Sequence, residues 1–66
     1  MNLKDIRVGQ LVTWDHGVVR GRIAVLLPAS KECGVILTED YRTLDGRCFK
    51  RGFSTALPAD VLRRVS

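Results

Sequence analysis

Sixty-six residues, 45% hydrophobic and 27% charged, make one thin-cored domain and exclude a disordered chain or a second domain. Eleven Lys and Arg stand against seven Asp and Glu, a net charge of +4, which favours an anionic partner without naming one. The longest apolar run, Ile23 to Leu27, is far short of the roughly 18 residues of a membrane span. The stretch Met1 to Asp5 lacks the apolar segment of a signal peptide, so the cytoplasm is the expected location.

Asn2 is placed to cap one helical turn over Leu3 to Ile6. Leu3 and Ile6, three apart, would then share one side and lid the core. Gly9 lets the chain turn into a first strand, about Gln10 to Trp14, with Val8, Val12 and Trp14 on one face. Asp15-His16-Gly17 is a compact turn signal, which makes this strand the first arm of a hairpin.

The second arm is the longest β-type run of the chain, Gly17 to Leu27. Its alternation predicts Val19, Gly21, Ile23, Val25 and Leu27 on the core face and Val18, Arg20, Arg22, Ala24 and Leu26 on the other. Arg20 and Arg22 cannot be buried unpaired, so their side meets water. Gly21, inward with no side chain, marks a bend or a close backbone approach, as at a barrel corner. Pro28 ends the run, and Pro28 to Glu32 reads as a polar loop.

Gly34-Val35-Ile36-Leu37-Thr38 is short and almost wholly apolar, the pattern of a central strand. Glu39 to Gly46 is polar. Asp45-Gly46 between Tyr41-Arg42-Thr43-Leu44 and Arg47-Cys48-Phe49-Lys50 signals a hairpin; the segment reads as either a small excursion hairpin or a mobile loop. Phe53 to Leu57 is a further strand. Pro58 to Val61 reads as a 3₁₀ turn with proline at its start, and a short last strand follows, with Leu62 anchoring the turn and Val65 in the sheet.

These elements sum to an all-β domain, a single five-stranded barrel with a short N-terminal turn and a 3₁₀ turn before the last strand. The chain resembles the SH3-like barrels, a group that includes KOW and Tudor modules and the type II dihydrofolate reductases. Three stretches carry the resemblance: Val8-Gly9-Gln10-Leu11-Val12, the Gly17, Gly21, Ile23 spacing, and Leu57 to Val65. It implies the fold and leaves activity open, since such barrels host many unrelated functions. In the reductases a Val-Gln-Ile-Tyr stretch on the fourth strand lines the pore of a homotetramer. Ser54-Thr55-Ala56-Leu57 stands there in this chain without the glutamine or the tyrosine, so no catalytic residue carries over.

Cys33, Cys48 and His16 are too few for a closed zinc site within one chain. The two cysteines could form a disulfide if their strands pair, or be small apolar residues with inert thiols. His16, the only histidine, has no Ser or Cys nearby in sequence to make it a catalytic base. Asp15, Asp45 and Asp60 are explained by turns and helix starts. No cofactor, metal or catalytic residue is expected.

Two binding readings remain. Tyr41, Arg42, Arg47, Cys48, Phe49, Lys50, Arg51 and Phe53 interleave bases with aromatics. On a nucleic-acid binder Arg42, Arg47, Lys50 and Arg51 would meet DNA or RNA phosphates, Arg20 and Arg22 would extend the patch with Arg63 and Arg64, and Tyr41 would stack on a base. Otherwise Phe49 and Phe53 are core or lid residues and the charges a solvated loop. In the second reading Leu11, Leu26 and Ile36 lie opposite the core and need a cover, most simply a second copy or another protein. Trp14, beside the first hairpin, would be core, rim or part of a ligand groove. An oligomeric enzyme of the pore type is the third and weakest reading.

Overall fold

The structure, a computed structural model, describes residues 2–15 and 17–65; His16 lies outside them. Among the described residues seven strands follow in chain order: β1 (Leu11–Trp14), β2 (Val19–Leu27), β3 (Glu32–Leu37), β4 (Tyr41–Arg42), β5 (Cys48–Phe49), β6 (Ser54–Pro58) and β7 (Arg63–Arg64). Five of them form one antiparallel sheet in the order β6-β3-β2-β1-β7, and β4 and β5 form a separate two-stranded ribbon. The expected closed barrel is not found: β6 and β7 stay as two open edges among the described residues.

Among the described residues 3₁₀ turns punctuate the sheet over Leu3–Asp5, Pro28–Ser30 and Ala59–Val61. The Asn2 carboxamide oxygen accepts from the Lys4 amide at 3.3 Å, as a capping residue should. The segment after Pro28, expected as a loop, makes a turn that ends on Lys31 in the left-handed region. Ile6 is buried and Leu3 packs against the core, so the N-terminal turn covers it as expected.

Ile6, Val12, Val19, Ile23, Cys33, Val35, Leu37, Ala59 and Leu62 are the buried hydrophobic residues. Each fully buried aliphatic side chain contributes about 1.5–3 kcal/mol, the main stabilising term for a sheet this small. The first half of β2 pairs with β1, Leu11 opposite Arg22 and Trp14 opposite Val19. Pairing with β3 runs from Gly21 opposite Leu37 to Leu27 opposite Glu32. β2 therefore links the two halves of the sheet.

The β2–β3 register shifts between Ile23 and Val25, which leaves Ala24 as the extra residue of a β-bulge. A bulge reverses the side-chain alternation beyond it. This corrects the face assigned to the end of β2. Val25 is turned out, 47% exposed, and Leu27 is exposed with it. Leu26, expected outward as an interaction residue, is half-buried and packs on the core. Gly34 accommodates the change, since a Cβ there would stand 2.5 Å from Val25 Cγ1.

Val8 is also corrected: it is 64% exposed rather than on the core face. It lies in a turn in which the Gln10 amide donates to the Arg7 carbonyl at 3.1 Å. Gly9, at φ 91°, carries the chain out of that turn in the left-handed region open to glycine. At Gly21 the sequence reading of close approach holds. A Cβ there would stand 2.9 Å from both the Ile36 carbonyl oxygen and Trp14 Cη2, so the indole lies over the bare backbone.

Candidate functional site: an aromatic cleft under a basic hairpin

The ribbon from Tyr41 to Phe49 is built by its turn. Thr43 and Asp45 side chains hydrogen-bond each other, the Arg47 amide donates to Thr43 Oγ1 at 3.0 Å and to Asp45 Oδ1 at 3.3 Å, and the Thr43 amide donates to the Arg47 carbonyl at 2.8 Å. Gly46, at φ 94°, makes the reversal. The Thr43 hydroxyl and the Arg47 amide hold the Asp45 carboxyl below the usual carboxylate range. Of the two conformations left open for this segment, the hairpin is the one adopted.

Pairing sets its two faces. Tyr41 lies opposite Phe49, and Arg42 opposite Cys48. The Tyr41 and Phe49 rings are nearly parallel, 17° apart with centroids at 6.4 Å. Phe53 closes on Phe49 at 5.0 Å, tilted by 53°. These rings meet Trp14, Val19, Leu37, Thr55 and Leu57 of the main sheet around a cleft of about 250 Å³. All four aromatic residues of the chain line it.

One polar tether spans the cleft's rim. The Tyr41 hydroxyl donates to Asp15 Oδ2 at 2.8 Å. Asp15 sits at φ 54°, a left-handed conformation that aspartate tolerates better than most side chains. The hydrogen bond favours the neutral phenol, and together with the nearby carboxylates it raises the Tyr41 pKa above the ordinary tyrosine value.

The cations of the basic segment, with Arg20 beside them, divide into two kinds. Arg47 pairs with Asp45 at 3.5 Å and Lys50 with Asp40 at 3.9 Å. Such exposed pairs are weak and exchange readily with another anion. Arg42, Arg51 and Arg20 make no ion pair among the described residues, and all three are exposed. Arg51 is placed by its amide, which donates to Asp40 Oδ1 at 2.8 Å. The turn Lys50-Arg51-Gly52 joins two wall residues, Phe49 and Phe53, and closes with the Phe53 amide on the Lys50 carbonyl at 3.0 Å.

The remaining arginines lie on the main sheet. Arg20 and Arg63 both face Thr13, one from β2 and one from β7, so they share the outer face about 10 Å apart, two strand spacings. Arg64 faces Val12 at the β7 edge. Arg22 stands between Leu11 and Ile36 in a cross-strand row, and its Nη1 donates to the Gly9 carbonyl at 2.8 Å.

The fold thus brings Tyr41, Arg42, Arg47, Lys50 and Arg51 into one unit, with Arg20 and Arg22 together on the outer face of β2. Leu11 and Ile36, at 40% and 39% exposure, face outward as expected. Both cysteines are free thiols. Cys33 is buried, which raises its pKa, while Cys48 is exposed on the hairpin. Sequence reasoning missed the convergence. Tyr41, Phe49 and Phe53 stood out together, but no local pattern linked them to Trp14, some thirty residues earlier and on a different sheet.

Among the described residues no three His, Cys, Asp or Glu side chains converge as metal ligands, and no helix is long and apolar enough to cross a membrane. No family model, characterised protein or solved structure matches this chain.

Proposed function

We propose that this protein is a non-enzymatic binding module that contacts the backbone of DNA or RNA through its basic hairpin. The observation that carries the reading is the two-sidedness of the hairpin: aromatic rings face the sheet, and Arg42 lies on the opposite, exposed face. Lys50 and Arg51 extend the charge at its root, and Arg20, Arg22 and Arg63 form a second group of cations on the outer face of the sheet. Unpaired arginines on an exposed ribbon suit phosphate oxygens, which they bind as counterions leave. The strand order β6-β3-β2-β1-β7, with a long bent β2 and a 3₁₀ turn before the last strand, supports an SH3-like barrel as the underlying fold.

Binding is then salt-sensitive and nearly independent of base sequence. A gel-shift titration at low and at moderate salt tests it. A shift at low salt that weakens as salt rises is expected; no shift with micromolar protein at low salt rejects the reading.

A second reading is favoured by a different surface. Val8, Leu11, Val25, Leu27 and Ile36 are all exposed, and β6 is an open edge strand without a charged residue, whereas edge strands are usually guarded by charge. A second copy of the chain covering this face would make the module a homo-oligomer. Sedimentation decides it: a monomer at high protein concentration rejects this reading, and an oligomer dispersed by Ile36→Asp supports it.

A further inference from the structure

We propose that the cleft between hairpin and sheet receives one unstacked base, so that the module's ligand is a single-stranded rather than a duplex nucleic acid. This rests on the nucleic-acid reading above and names its substrate class.

Three observations support it. The first is the wall. Trp14, Tyr41, Phe49 and Phe53 surround about 250 Å³ together with Val19, Leu37, Thr55 and Leu57. Aromatic walls hold a base by its faces, whatever its identity.

The second is exposure. Phe49 and Phe53 would bury each other if they served only as core. Instead Phe53 is 45% exposed and Tyr41 and Phe49 are half-buried, so ring surface is left open to a ligand. The third is placement. Lys50 and Arg51 lie in the exposed turn Lys50-Arg51-Gly52 that joins the wall residues Phe49 and Phe53. A phosphate flanking an inserted base would meet these two side chains at the cleft's rim, while Arg42 and Arg20, next to Tyr41 and Val19 in their strands, lie on the opposite faces. A base within a duplex is stacked and paired, and extracting it is costly; a single strand offers its bases without that cost.

The test uses the whole chain. Trp14 is its only tryptophan, so intrinsic emission reports on the cleft. A labelled single-stranded DNA, the same sequence as RNA, and the DNA duplex are titrated at equal salt by anisotropy and by Trp14 emission. The two single strands bind at least about tenfold tighter than the duplex and change Trp14 emission. Phe53→Ala weakens single-strand binding roughly tenfold, the scale of one lost stacking contact, and leaves the salt slope unchanged. Phe53→Leu, which keeps apolar bulk and loses the ring face, behaves the same way and guards against a folding defect in the first variant. Arg51→Gln lowers the salt slope by roughly 0.7, one phosphate contact on a single strand, while the emission change persists.

Equal binding of duplex and single strand, or unchanged affinity in both Phe53 variants, overturns the base-in-cleft proposal and leaves the backbone-binding reading standing. Absence of binding by every probe at low salt overturns both.

Discussion

The five-stranded sheet and the two-stranded hairpin are both antiparallel, yet different forces hold them. In the sheet, register follows buried side chains: Val12 opposite Gly21 and Ile23 opposite Val35 are all on the core side. A slip by one residue would turn Ile23 and Val35 to water. In the hairpin nothing is fully buried. Its register is set by the Thr43–Asp45–Arg47 turn and by the Tyr41–Phe49 ring pair. Because polar turn chemistry holds the hairpin together, its rings need not be sealed inside. The sheet spends its apolar residues on stability; the hairpin keeps part of its aromatic surface available to a ligand.

Breaking the sheet has the largest effect. Ile23→Ala removes a side chain that is 1% exposed and should cost about 2–5 kcal/mol, a large part of the stability of so small a domain. Urea unfolding followed by circular dichroism measures it. The hairpin is lost with the sheet, since Thr38 at its root is anchored on Arg20 of β2, its amide donating to the Arg20 carbonyl at 3.2 Å.

Two glycine substitutions then separate the crowded and the open side of the same sheet. Gly21→Ala sets a methyl group 2.9 Å from a backbone oxygen and from the Trp14 ring, neither of which yields cheaply, and should destabilise by about 1–3 kcal/mol. Gly34→Ala meets only Val25, which is exposed and can turn away, so its cost stays under about 1 kcal/mol. Thermal melts rank the pair. The reverse order would mean that Trp14 does not lie over Gly21.

Phe49→Ala sharpens the comparison from the other side. It removes both ring contacts of the hairpin, worth about 0.5–1.5 kcal/mol each. The expected result is local: the Thr43 amide, bonded to Arg47, loses protection in hydrogen exchange while amides of β2 and β3 keep theirs. Equal loss in both regions would show that hairpin and sheet unfold as one unit.

The smallest effect is at Tyr41. The neutral phenol is the form that donates to Asp15, so its folded pKa lies above the unfolded one. Its contribution is complete below the ordinary tyrosine pKa, about 10, and is lost as pH rises through the higher folded value. Tyr41→Phe should flatten the alkaline end of the stability profile. Since Tyr41 is the only tyrosine, phenolate absorbance follows its titration directly, and Asp15→Asn should bring the pKa back towards the ordinary value.

Much of the scaffold was legible in the chain. Asp15 to Gly17 marked the first turn, Pro28 the end of β2, Asp45-Gly46 the hairpin, and Pro58 the last 3₁₀ turn, each through local backbone chemistry. The faces of Val19, Gly21 and Ile23 followed from alternation. The face of Val25 did not, since a bulge is an extra residue in one strand defined against its partner. Nothing within Ile23 to Leu27 states where Ile23 and Val25 meet β3. Leu26 and Val25 exchange sides for that reason alone.

The candidate site divides the same way. Which residues are basic, which aromatic, and that they interleave between Tyr41 and Phe53 is a property of the linear chain. That Trp14, Tyr41, Phe49 and Phe53 enclose one cleft is not, because it requires a ribbon outside the main sheet to fold back over the end of that sheet. Period-two patterning and turn residues act over a few neighbours and determined the strands of this protein. Register across strands and the docking of one sheet on another depend on contacts between residues distant in sequence, so the tertiary structure alone decided where the aromatic rings and the arginines meet.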